Sequence, residues 1–184
     1  MPTGHGGYRF SHALIQQTVY EGIPPMQRAQ IHVAAADALE ELHEGNLGEH
    51  AGELAYHFSQ AKTISGPEKL VRYSLMAGEH SLDASAHEEA LAMFQQGMAA
   101  KEGHEMDAAS ASVLVGLGRA QVATLGRSQI PEALGNLDRA FEYFTASGDV
   151  ERAVAVAEHP LPNLVAPNTG ALKRISPALE MVPP

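Results

Sequence analysis

The sequence predicts an all-α fold: a tetratricopeptide-like array of helical hairpins (an α-α superhelix) with about eight or nine helices and a short β-strand at the N-terminus. Three observations predict it. First, hydrophobic residues fill 45% of the 184 positions, yet aromatics make up only 5% and Trp is absent. A core built on Ala and Leu suits closely packed helices, because Ala has the highest helix propensity and little bulk. Second, apolar residues recur at helical spacing between Gly and Pro breaks. Third, one pattern occurs twice. Glu89-Ala90-Leu91 matches Glu132-Ala133-Leu134 at an offset of 43 residues, and at the same offset Phe94, Gly97 and Met98 align with Leu137, Ala140 and Phe141. Small residues at 90, 97, 133 and 140 let a neighbouring helix approach, and the large ones fill the gap between. That is the packing logic of stacked helix pairs, although the period exceeds the roughly 34 residues of a standard tetratricopeptide repeat. An Ala/Leu-rich helical bundle is the plainer alternative.

Residues 1–22 open on a Gly-rich turn. Tyr8-Arg9-Phe10 reads as a short strand, and Ser11 stands as the N-cap of a first helix carrying Leu14, Ile15, Val19 and Tyr20 before Gly22. Residues 23–65 read as a connecting helical pair. Pro24-Pro25 opens one helix, where a missing N–H does no harm. Its predicted inward stripe is Ile31, Ala35, Ala38, Leu39 and Leu42, with Glu40 and Glu41 off it and Gly45 as the stop. Asn46 is the predicted cap of the next helix, which runs to about Ala61 with Leu54, Ala55 and Phe58 inward.

The repeats proper are predicted over residues 66–159. Gly66-Pro67 starts a helix bearing Leu70, Val71, Tyr73, Leu75 and Ala77, and a break near Ser85 leads to one over 87–101. Asp107 caps a helix reaching about Leu125, and Gly126-Arg127-Ser128 connects it to the next. Pro131 sits in the first turn of that helix, and Gly148-Asp149 punctuates before an eighth that ends near His159. Residues 160–184 hold a Pro-rich connection, with prolines at 160, 162 and 167, and the start of a further, truncated repeat over about 171–181 containing Pro177. Neither end reads as a polar cap, so the expectation is a segment of a longer protein.

Charge and composition narrow the function. Twelve basic residues against 22 acidic ones leave a net charge of −10, and the longest basic run is Lys173-Arg174. No direct nucleic-acid partner is expected. Cys is absent, so thiolate and disulfide chemistry are excluded. No stretch approaches the roughly 18 apolar residues of a membrane helix, and the polar, Gly-rich Met1 to Gly7 does not read as a signal peptide. These features together give a cytoplasmic reading with no membrane partner.

The candidates for chemistry are weak. Ten histidines are present, but His43, His50 and His57 are seven apart and His80 and His87 straddle a break, whereas a helical zinc pair needs ligands three or four apart. No metal site is predicted. Val115-Gly116-Leu117-Gly118-Arg119 superficially resembles a phosphate loop, but it lies within a helical pattern, with no strand before it and no Lys after it. Close helix packing explains its glycines better. Glu40-Glu41 and Glu88-Glu89 read as solvated faces, the methionines 76, 93 and 98 as core filler, and His57 as a helix–helix contact. No catalytic residue and no enzyme activity are predicted.

One segment carries a family likeness. YRFSHALIQQTVY, residues 8–20, resembles the end of the winged-helix region in signal-transduction ATPases of the STAND class. The large ATP-binding LuxR-type regulators and cyclase-linked relatives are the nearest in pattern. There a strand ending Phe-x-His leads into Ala-Leu-Ile/Val and a helix ending in Tyr. Here these are Phe10, His12, Ala13, Leu14, Ile15 and Tyr20. The stretch from Arg28 through His32 to Ala38-Leu39 is similar to the family's next helix, and Leu54-Ala55-Tyr56-His57-Phe58 to its Leu-Ala-x-His-Phe. Ala153 to Pro184 is similar to its repeat arm. The resemblance implies an upstream ATPase that binds ATP or ADP, a repeat arm that senses a signal, and a downstream output domain in transcription regulation. The chain lacks a Gly-x-x-x-x-Gly-Lys-Ser/Thr loop and a basic recognition helix, so only the junction and the arm are present, with no cofactor of their own. The implied partners are a protein, the upstream ATPase domain, or a small effector. In relatives with a Met-His-Asp motif the His at the position of His12 senses ADP phosphates. Ser11 and Ala13 flank it here, so the Asp is missing, and His12 as a simple helix-start residue stays open. A freestanding tetratricopeptide-like adaptor or scaffold is the alternative from another class.

Overall fold

The computed structural model describes residues 13–124, 130–158 and 171–181, and among these every regular element is helical. The predicted strand at residues 8–10, Ser11 and His12, the connection at 126–128 and the Pro-rich segment 160–170 lie outside the described residues.

Ten helices follow in order: α1 Ala13–Glu21, α2 Pro25–Leu42, α3 Ala51–Gln60, α4 Lys62–Ser65, α5 Glu68–Asp83, α6 His87–Ala100, α7 Ala108–Thr124, α8 Ile130–Ser147, α9 Val150–Glu158 and α10 Ala171–Met181. The single-turn α4 was not expected and brings the count to ten. Local chemistry sets many of the boundaries. Pro25 opens α2, where its lost N–H is an orphan in any case. Gly66, Gly103 and Gly148 have φ of 71°, 80° and 75°, a region that costs a side chain but not glycine. Asp107 caps α7, its Oδ1 accepting from the Ser110 amide and hydroxyl at 2.8 Å each, and Asp149 caps α9 by accepting from the Arg152 amide at 3.1 Å. Burial works against the Asp107 charge. Hydrogen bonds from Lys101 and from the Ser110 amide and hydroxyl overcome it and hold the carboxyl down at about 2.

Consecutive helices pack on one another from α5 to α8, α5 also touches α7, α3 leans on α5, and α9 bridges α8 and α10. This is the packing order of a helical array. One continuous core runs from Ala36 on α2 to Ala178 on α10. The two copies of the 43-residue pattern occupy matching environments on α6 and α8: Ala90 and Ala133, Phe94 and Leu137, and Gly97 and Ala140 are all buried. The Gly-rich stretch of α7 is a packing device, as expected. A Cβ on Gly116 would fall 2.2 Å from the Phe94 ring, and one on Gly118 would fall 2.8 Å from Leu137. Phe94 lies between α5 and α7, because a Cβ on Gly78 of α5 would also fall 2.5 Å from its ring.

Four expectations need correction. The inward face of α2 is Ala29, His32 and Ala36, whereas Ile31 and Leu42 are exposed. Alanine and branched residues surround this helix, so periodicity did not single out one stripe. Glu40 is not on a solvated face. It accepts from the hydroxyl of buried Tyr73 and from Lys69 Nζ at 2.6 Å, tying α2 to α5. Burial first, and then this carboxylate, push the Tyr73 phenol up to about 12. Asn46 does not start α3. Residues 46–50 form turns through Leu47 and Gly48, and the rings of His43 and His50 stack across them with centroids 3.5 Å apart. On α1, Ile15 and Val19 are exposed, and Tyr20 is the half-buried contact with α2.

Candidate functional site

A cleft of about 270 Å³ is formed by α5, α7, α8 and α9. Its apolar lining comes from Val115 on α7, Phe144 on α8 and Val156 on α9, and its charged rim from Glu79, Arg119 and Arg152. Each is placed by its helix. Phe144 is on the buried face of α8, and the sharp turn at Gly148, where the Asp149 amide returns to the Phe144 carbonyl at 2.9 Å, brings α9 back beside it. Arg152, in the first turn of α9, is thereby set over the Phe144 ring, 5.7 Å from its centroid, and 3.4 Å from Asp149. Across the cleft Arg119 Nη1 donates to Glu79 Oε2 at 2.9 Å, joining α7 to α5.

Chemically the cleft offers an apolar seat with two guanidiniums at its edge. Arg119 gives one N–H of its planar five-donor fork to Glu79. Ser112 also lines the cleft, but its hydroxyl donates to the Ala108 carbonyl of its own helix at 2.9 Å. Among the described residues no group of three or more His, Asp or Glu is disposed to hold a metal ion, and no helix is long and apolar enough to cross a membrane.

Compared with protein families, curated proteins and solved structures, the chain matches none.

His12, the one site residue the sequence singled out, lies outside the described residues. His57 is a helix–helix contact as expected, in hydrogen-bond contact with His32 of α2. Sequence reasoning missed the cleft: Arg119 entered only as the end of a false phosphate loop, and Glu79 and Arg152 not at all. No local signal could have found them, because residues 40 and 33 apart along the chain meet only when alternate helices stack.

A second surface lies at the other end. Ile15 and Val19 on α1 and Met26 and Ile31 on α2 are each roughly half exposed (48, 52, 58 and 50%). Large apolar side chains concentrated on neighbouring helices are a docking signature when they are contiguous.

Proposed function

We propose that this chain is a non-catalytic helical-repeat arm that docks protein segments, belonging to a STAND-class signal-transduction ATPase and, within that class, to a LuxR-type regulator of transcription. The array is read as tetratricopeptide-like, its hairpins pairing α5 with α6 and α7 with α8. The observation that carries the reading is the cleft itself. It lies across the alternate helices α5, α7 and α9, where an extended segment can touch successive hairpins at once. Its occupant is a segment with a carboxylate beside an aliphatic or aromatic residue. The side chain sits on Phe144 and Val156, and the carboxylate meets Arg119 and Arg152.

The exposed apolar residues of α1 and α2 supply the second contact, to the ATPase body, on which α1 follows directly in the resemblance. His12 is then the residue nearest the nucleotide in the full-length parent. Segment binding in the cleft shifts how the arm rests on that body, which is how a signal reaches the ATPase.

The encoded reading frame and the contiguous protein test this. An in-frame phosphate loop upstream supports the regulator, and a genuine start and stop at these ends supports the freestanding adaptor instead. Arg119→Glu combined with Arg152→Glu is expected to weaken partner or effector-segment affinity by at least about tenfold, the scale of one lost charge-assisted hydrogen bond, without loss of helicity. Unchanged affinity in that variant, or substrate turnover by the isolated chain, overturns the reading.

A further inference from the structure

His32 lies where α1, α2 and α3 meet, with only 6% of its surface exposed. Its Nε2 is 2.9 Å from the Tyr20 hydroxyl of α1, and its Nδ1 is 2.9 Å from Nδ1 of His57 on α3. The rings of Tyr20 and Tyr56 stand edge-on to it, with centroids 6.0 and 5.7 Å away. Arg28, one turn earlier on α2, places its guanidinium 5.0 Å from the Tyr20 ring centroid. The titratable and charged groups around the imidazole are therefore Tyr20 from α1, Arg28 from α2, and Tyr56 and His57 from α3. Two charges on the neighbouring elements are engaged elsewhere. On α1, Glu21 accepts from Gln17, and on α4, which also packs on α2, Lys62 donates to the Ala99 carbonyl. None of the described hydrogen bonds of His32 and His57 involves a carboxylate.

A direct contact between two ring nitrogens needs one N–H and one lone pair. Two neutral imidazoles provide that. One added proton is tolerated, because His32 can then donate from both nitrogens, to the Tyr20 oxygen and to His57. A second added proton sets two N–H groups and two positive charges against each other at 2.9 Å, next to Arg28, with His32 itself buried. The contact must then open, and as the His32 ring turns away from His57 its Nε2 leaves the Tyr20 hydroxyl.

We propose that the His32–His57 pair is a proton-released latch: neutral, it holds α1 through Tyr20 against the α2–α3 hairpin, and acidification frees α1. The other large apolar residues described on α1, Ile15 and Val19, are exposed, so Tyr20 is the anchor the latch acts on. Burial first, then the His57 and Arg28 charges, lower the pKa of His32, which keeps the latch closed at neutral pH. With the folded value depressed below the ordinary imidazole value of about 6.5, the latch is fully set above that pH and loosens as pH falls below it.

Hydrogen–deuterium exchange of the full chain between about pH 8 and pH 5, corrected for the intrinsic pH dependence of exchange, tests the latch. Amides of residues 13–21 are expected to lose about tenfold in protection on acidification, on the scale of a lost charged hydrogen bond, while amides of α6 and α7 keep theirs. His57→Gln, whose amide retains a donor and an acceptor but does not titrate, is expected to keep α1 protected across the range. Tyr20→Phe is expected to leave α1 unprotected at every pH with the melting of the core unchanged. Protection of residues 13–21 that is independent of pH in the parent chain overturns the proposal. So does an acid transition that persists in His57→Gln, or parallel loss of protection in α6 and α7.

Discussion

Replacing Gly116 with alanine should destabilise the array, although the same change in an exposed helix is stabilising. The usual gain is about 1 kcal/mol, since alanine replaces the poorest non-proline helix former. Against it stands the Phe94 ring. The added Cβ would lie 2.2, 2.3 and 2.7 Å from its Cε1, Cζ and Cδ1 atoms. Carbon atoms rest at roughly 3.5–4.0 Å, so the ring must retreat by about 1.3 Å or more. It has little room to do so. Phe94 is fully buried, and its other side abuts Gly78, where a Cβ would fall 2.5 Å from the same ring. Overpacking of this kind costs typically 1–3 kcal/mol, so Gly116→Ala should lose up to about 2 kcal/mol net. For a chain of this size that lowers Tm by up to roughly 8 °C. Gly135→Ala on α8 is the internal control. Nothing lies within 4 Å of its added Cβ, and it should gain up to about 1 kcal/mol. Thermal and urea unfolding followed by circular dichroism measure both. A double-mutant cycle with Phe94→Leu should show favourable coupling to Gly116→Ala, because the smaller side chain vacates the space the methyl needs. If both glycine variants stabilise, or if the cycle shows no coupling, α5, α6 and α7 do not meet at this ring.

Two other sites give independent outcomes. Asp107→Ala should cost about 1 kcal/mol through loss of the α7 cap. Because the folded carboxyl is held at about 2, below its ordinary range, the support it gives is intact above that range and drains away as pH falls towards 2. Acid titration of stability should therefore flatten in Asp107→Asn. The Tyr73 phenol, raised to about 12, favours the fold below its ordinary pKa of about 10 and ceases to as pH climbs through 12. Ultraviolet titration of the parent chain should show one late-ionising tyrosine that is missing in Tyr73→Phe.

The helices from α5 onward were read from sequence close to their final bounds because their ends carry explicit chemistry. Gly66-Pro67, Asp107, Pro131 and Gly148-Asp149 act through φ restriction, missing donors or side-chain caps, and each of these works locally. The inward faces of α5, α6 and α8 were legible for the related reason that bulky and small residues are segregated on them. The α2 face was not. Eight of its 18 residues are alanine, valine, isoleucine or leucine on every side of the helix before Glu41, and the side that became buried is the one that carries His32. A buried histidine and a carboxylate shared by Tyr73 and Lys69 look like surface residues until their partners are known. The cleft was illegible for a stronger reason: Glu79, Arg119 and Arg152 have no common spacing, and only the stacking of alternate helices brings them to one rim.

The ring of Phe94 is shared property. It belongs to α6 but fills notches on both α5 and α7. In a one-dimensional stack, cooperativity is set by the interfaces between neighbours rather than by the units themselves. A side chain keyed into both neighbours makes that interface all-or-none, so α5, α6 and α7 should melt as a single block, and fraying should begin at the ends of the array.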